Sequence, residues 1–123
     1  MTNKGLRRKL WEQIRLFIKN RDSNKCWLCS TTVVGSNAHC SHILPKGLYS
    51  RYEYEEWNLK TLCMHCHKHR WHKDPLNIAI EFREKYPAKF VEARKMTSEY
   101  EKAAKLTPEV LMAKYLFYTQ KNS

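Results

Sequence analysis

Two Cys-x-x-Cys pairs, Cys26-Trp-Leu-Cys29 and Cys63-Met-His-Cys66, stand with 33 residues between them, and no other feature restricts the folding of this chain as much. A Cys-x-x-Cys turn brings two sulfurs close enough to share one ion, and two such turns complete the tetrahedral thiolate set that zinc favours. The gap is longer than that of a zinc ribbon, so the segment between the pairs must be looped out, with the four sulfurs clamping its base. Disulfides fit less well, because five cysteines are an odd number and the paired spacing is that of metal knuckles. A redox Cys-x-x-Cys needs a single active pair in a βαβ setting, which this sequence does not supply. Four thiolates leave zinc no open position for water, so this ion is expected to hold structure, and chemistry must come from other residues. Cys40, outside both pairs, reads as a small apolar strand residue.

At 123 residues the chain has room for one domain, of a size at which a core alone gives modest stability and a metal staple helps. The net charge of +11, spread along the whole length, points to a polyanionic partner. No apolar run approaches the roughly 18 residues that span a bilayer, so no membrane partner is expected. The basic start (Lys4, Arg7, Arg8, Lys9) leads into a periodic, charged stretch and not an apolar signal core, which predicts an intracellular, cytoplasmic protein.

Leu6, Leu10, Ile14, Phe17 and Ile18 recur at helical spacing and predict an amphipathic helix over 5–20, with Trp11 beside the apolar stripe. The β-branched run 31–34, the turn Gly35-Ser36-Asn37 and a strand over 38–44 predict a small hairpin. Residues 45–56 read as a loop and 57–62 as a strand, followed by a helix from about Met64 to Lys73. Asp74-Pro75 predicts a new helix start, Pro87 a break before another helical segment, and Thr107-Pro108-Glu109 the start of a last helix rich in aromatics. The helices beyond the central segment therefore occupy 75–120.

All six histidines, His39, His42, His65, His67, His69 and His72, lie inside or just beyond the segment enclosed by the cysteines. Two strings stand out: Cys40-Ser41-His42-Ile43-Leu44-Pro45, and Trp57-Asn58-Leu59-Lys60-Thr61-Leu62-Cys63 running on to Cys66-His67. Together they resemble the signature of the HNH, or ββα-metal, endonucleases, with His42, Asn58 and His67 as its H, N and H. The enclosing cysteines are similar to those of HNH enzymes with a structural zinc, including phage endonuclease VII. The compact size and the segment Trp71-His72-Lys73-Asp74-Pro75 are similar to phage HNH proteins such as the NinG-like recombination nucleases. The resemblance covers about residues 26–75.

It implies a ββα-metal core with zinc-binding cysteine knuckles, which together with the N-terminal and C-terminal α-helices read above makes an α+β fold. It also implies a metal-dependent endonuclease, of phage or mobile-element origin, that hydrolyses phosphodiester bonds in DNA. The alternative is a zinc-dependent nucleic-acid-binding protein without catalysis. His42 would be the general base, Asn58 would fix the loop, and His67 would ligate a catalytic Mg²⁺, Mn²⁺ or other divalent cation acting as Lewis acid on the scissile phosphate. Many HNH enzymes have an acidic ligand just before the base, where this chain has Ser41. Either more waters complete the shell or His39 contributes. His72 lies five residues past His67 and reaches the same ion only if the helix is irregular or ending. His65 and His69, four apart, share a face on which a separate two-histidine site is conceivable. Lys46, Arg51, Lys60, Lys68, Arg70 and Lys73 surround the site as cations for DNA phosphates. The protein is expected to act as a monomer or as a homodimer through its last helix.

Overall fold

The computed structural model describes residues 2–100 and 105–123. It is a mixed α+β structure, mostly helical, with one small antiparallel sheet of two strands. Helix α1 (Asn3–Arg21) opens with Thr2, whose hydroxyl accepts a hydrogen bond from the Gly5 amide at 3.0 Å, satisfying one of the free N–H groups of the first turn. Its buried residues Leu6, Leu10, Ile14 and Ile18 follow the four-residue spacing of a single face. That face packs against helix α4 (Pro108–Lys121), where Thr107 caps the start and Leu111 and Tyr118 are buried. The Tyr118 hydroxyl donates to the carbonyl of Tyr54 at 2.7 Å, which ties α4 to the loop above the sheet.

Strand β1 (His39–His42) pairs with β2 (Leu59–Leu62) in the register His39 to Leu62 and His42 to Leu59. The end of α1 is fastened to β2 by two adjacent charged residues. Arg21 donates to the carbonyls of Glu56 at 2.7 Å and Leu59 at 2.6 Å, while the Asp22 carboxylate accepts the Thr61 amide at 2.9 Å. No helix among the described residues is long and apolar enough to cross a membrane.

The hairpin expected between 31–34 and 38–44 does not form. Thr31 gives its carbonyl to the Cys26 amide at 2.8 Å, and the Val33 amide donates to Asn24 at 2.8 Å, so the run closes the first cysteine knuckle instead of pairing with β1. Thr32 makes only an isolated bridge to Lys25, and Gly35–Asn37 is a 3-10 turn entered at a glycine with φ of +56°. The partner of β1 is therefore β2, across the long loop. The second strand is also shorter than expected, because Glu56–Asn58 is a 3-10 turn.

After β2 the chain passes through a short helical segment whose last part, Cys66–Trp71, is a π-helical turn. Helices α2 (Pro75–Lys85) and α3 (Pro87–Ser98) follow, divided at Pro87 as the sequence predicts. Asp74 stands at the N-cap of α2, but its carboxylate takes the Asn77 side-chain amide at 2.8 Å and caps no backbone N–H. The pair is anchored on Trp27 of the first knuckle, whose ring stacks on Tyr86 at 4.0 Å and lies 5.0 Å from Phe82.

Candidate functional site

The two knuckles meet as their spacing requires. The sulfurs of Cys26, Cys29, Cys63 and Cys66 all lie within 4.8 Å of one another, and Cys29 and Cys63 are 3.8 Å apart. A tetrahedral zinc with bonds of about 2.3 Å separates its sulfurs by about 3.8 Å, so this donor set fits one such ion. Burial acts to raise the Cys26 thiol, but hydrogen bonds from the backbone of Cys29, Cys63 and Leu28 outweigh it and bring the group down to about 7. Burial pushes Cys63 and Cys66 up, so those thiols ionise readily only against a cation. The Cys66 amide points at the Cys63 sulfur at 3.4 Å, and the Arg70 guanidinium lies 3.9 Å from the Cys66 sulfur, both oriented to favour thiolate. Cys40 stays outside this group, packed against the α1–α4 core, where burial raises its thiol to about 12.

His42, at the end of β1, is held on three sides. Its Nε2 donates to the Glu53 carbonyl at 3.0 Å, Trp11 lies parallel to its ring at 5.6 Å, and Trp71 donates its indole N–H to the His42 carbonyl at 3.0 Å. A carbonyl can only accept, so the neutral imidazole carries its proton on Nε2 and presents a free lone pair at Nδ1. Burial holds its pKa below the ordinary value.

Asn58 is fully buried and spans the mouth of the loop. Its Oδ1 accepts the Leu44 amide at 2.6 Å, and its Nδ2 donates to the carbonyls of Leu44 at 3.2 Å and Tyr52 at 3.0 Å. The loop leaving β1 is thereby fixed to the turn entering β2, directly behind His42.

The π-helical turn decides where the remaining histidines go. An α-helix would align His67 with Arg70 and Trp71, whereas the wider turn bonds residues five apart, here the His72 amide to the His67 carbonyl at 3.3 Å. His67 and His72 consequently share a face, with their Nε2 atoms 2.9 Å apart. On its other side His67 meets His39, Nδ1 to Nδ1, at 2.8 Å. The three rings thus form a line in which His39 and His72 address opposite nitrogens of His67, so the three do not converge on one ion. Burial, reinforced by the positive potential of His72, His39, His42 and Lys68, lowers His67 to about 4 and keeps it neutral.

His42, His67 and His72 line one cavity of about 700 Å³, which the apolar side chains of Ile78, Phe82 and Phe90 also line. Ser41, beside them, has a buried hydroxyl with no hydrogen-bond partner among the described residues. His65 and His69 are exposed, with ring centres 5.1 Å apart.

The six cations separate by environment. Lys46, Lys68 and Lys73 are exposed. Lys60 is buried at 4% exposure with its ammonium 5.3 Å from the centre of the Trp27 ring, so it does not reach a phosphate as the sequence suggests. Burial lowers its pKa to about 8. Arg51 donates to the Tyr100 carbonyl and lies over that ring at 4.6 Å, and Arg70 is paired with Glu81. Sequence reasoning missed Trp11 and Trp71 as supports of His42. It also missed the Glu53 carbonyl at His42 and the Ser36 carbonyl, 3.0 Å from His39 Nε2, which as backbone groups leave no signature in residue type.

Compared with protein-family models, curated proteins and solved structures, the chain matches none.

Proposed function

We propose that this protein is a metal-dependent HNH-type endonuclease acting on DNA, with a structural zinc held by Cys26, Cys29, Cys63 and Cys66. The observation that carries this reading is the shared cleft: His42, with only Nδ1 free, lines the same cavity as the His67 and His72 pair. The order of strand, loop closed by asparagine, strand and helical turn supports it, as does the net charge of +11.

The Nε2 atoms of His67 and His72, 2.9 Å apart, suit two adjacent positions of an octahedral ion, which lie about 3.0 Å apart when bonds are near 2.1 Å. Such an ion, when bound, supplies Lewis acidity at the scissile phosphate and at the departing 3′ oxygen. His42 takes the proton of the attacking water on Nδ1 as the new P–O bond forms and the P–O3′ bond breaks. Asn58 keeps the loop behind His42 closed, and Trp11 fixes the plane of its ring. Lys46, Lys68 and Lys73 neutralise neighbouring phosphates.

Supercoiled plasmid incubated with the protein and Mg²⁺ or Mn²⁺ should be nicked or linearised, and EDTA should abolish the conversion. Plasmid that is bound yet stays intact with either ion would instead favour a zinc-dependent binding module.

A further inference from the structure

His39 makes two contacts whose directions can be worked out. Its Nε2 lies 3.0 Å from the Ser36 carbonyl, which can only accept, so that nitrogen carries the proton. A neutral His39 then has a bare Nδ1, and the 2.8 Å contact with His67 requires the proton on the Nδ1 of His67. A neutral His67 is in turn left with its lone pair on Nε2, the nitrogen facing His72 and the cleft. The Ser36 carbonyl therefore starts a chain of hydrogen bonds with one sense, and its outcome is the tautomer of His67.

We infer that His39 is a positioning residue, not a metal ligand: it locks His67 as the Nδ1–H tautomer and so presents Nε2 to a divalent cation. The inference rests on the reading of His67 as an ion ligand given above. A ligating histidine commonly donates its second N–H to a carboxylate or carbonyl, which fixes the ring and raises its basicity. Here no acidic side chain contacts His67 among the described hydrogen bonds, and His39, backed by the Ser36 carbonyl, stands in that place. Ser36 and His39 lie at the 3-10 turn and the start of β1, whereas His67 lies in the π-helical turn, so the contact also fixes the register between sheet and helix.

The test uses the zinc-loaded full chain and reads imidazole ¹⁵N shifts before any second metal is added. Wild-type His67 should be protonated on Nδ1, and His39→Ala should leave it a mixture of tautomers. His39→Asn, whose amide oxygen falls near the place of the imidazole Nδ1, should restore the Nδ1–H form. Titration with Mn²⁺ alone, followed calorimetrically, should show affinity about 10 to 100 times weaker in His39→Ala and largely recovered in His39→Asn.

A His67 found protonated on Nε2 in the wild type, or unchanged by both substitutions, overturns the inference. Equal Mn²⁺ affinity in wild type and His39→Ala overturns it too, since a direct or indirect role requires a loss. A loss in His39→Ala that His39→Asn fails to recover, with both variants folded, assigns His39 to direct ligation instead and likewise overturns it. If the tautomer follows His39 but the wild type binds no Mn²⁺, the ion-ligand reading of His67 fails while the hydrogen-bond assignment stands.

Discussion

The cysteine quartet and the histidine line adjoin in sequence at Cys66 and His67, yet they are built on opposite principles. The sulfurs converge, all within 4.8 Å of one another, and three of the four cysteines are buried. The imidazoles of His39, His67 and His72 run in file, nitrogen to nitrogen at 2.8 and 2.9 Å, and of the three His67 and His72 line the open cavity. Convergence of four anionic donors saturates an ion and excludes water, which suits a structural role. Two imidazole donors, His67 and His72, would leave most of an ion's positions free, which suits exchangeable water and a phosphate oxygen. The π-helical turn connects the two, since it starts at Cys66 of the quartet and its wider winding is what brings His72 beside His67. The cysteine quartet and the histidine line are therefore coupled through one turn of backbone.

The largest effect should come from the closed centre. Cys66→Ser, or exhaustive chelation, should release one zinc per chain and unfold the knuckles, because structural zinc contributes on the order of 10 kcal/mol to folding. Metal analysis together with thermal denaturation checks this. A variant that loses zinc and keeps its melting temperature would remove the contrast between the two regions.

Asn58→Ala should cost about 2–3 kcal/mol in denaturant unfolding, since it strands buried partners on both sides of the loop. The effect sharpens the comparison, because the zinc should stay bound while the position of His42 is lost.

A smaller effect separates surface cations from buried ones. Lys68→Ala should reduce the salt slope of DNA binding by about 1, while Lys60→Met, at a buried position over Trp27, should leave the slope unchanged. Arg70→Ala should act chiefly through its lost pairing with Glu81 and the Cys66 sulfur.

The smallest effect is on pH. A general base at His42 would work as neutral imidazole, and burial disfavours the charged form, so activity should be lost only as pH falls through a value below the usual 6.5. An acidic limb in kcat/KM centred above 6.5 contradicts that environment for His42.

What could be read from the sequence was what short spacing controls. The four cysteines, the stripe of α1 and the break at Pro87 are local patterns, and each appears where the pattern puts it. The hairpin expected over 31–44 does not form because the β propensity of residues 31–34 competes with a knuckle that claims backbone groups of Thr31 and Val33. Lys60 has the same side chain as Lys68, yet it lies in the buried strand β2 with its ammonium over the Trp27 ring. The meeting of His67 with His72 depends on one extra residue in a helical turn, which residue types do not encode. The hold on His42 comes from the Glu53 carbonyl, and any residue at 53 would supply that group.

The central claim is that the open cleft performs hydrolysis with His42 as base, and single-turnover cleavage of plasmid by His42→Ala tests it most directly. With zinc content and DNA affinity near those of the wild type, the rate should fall by roughly 10² to 10⁴-fold, the usual worth of a positioned general base, and added Mn²⁺ should not restore it. His67→Ala, which removes a ligand, should instead recover partly at high Mn²⁺. A His42→Ala protein that cuts at the wild-type rate would contradict the account.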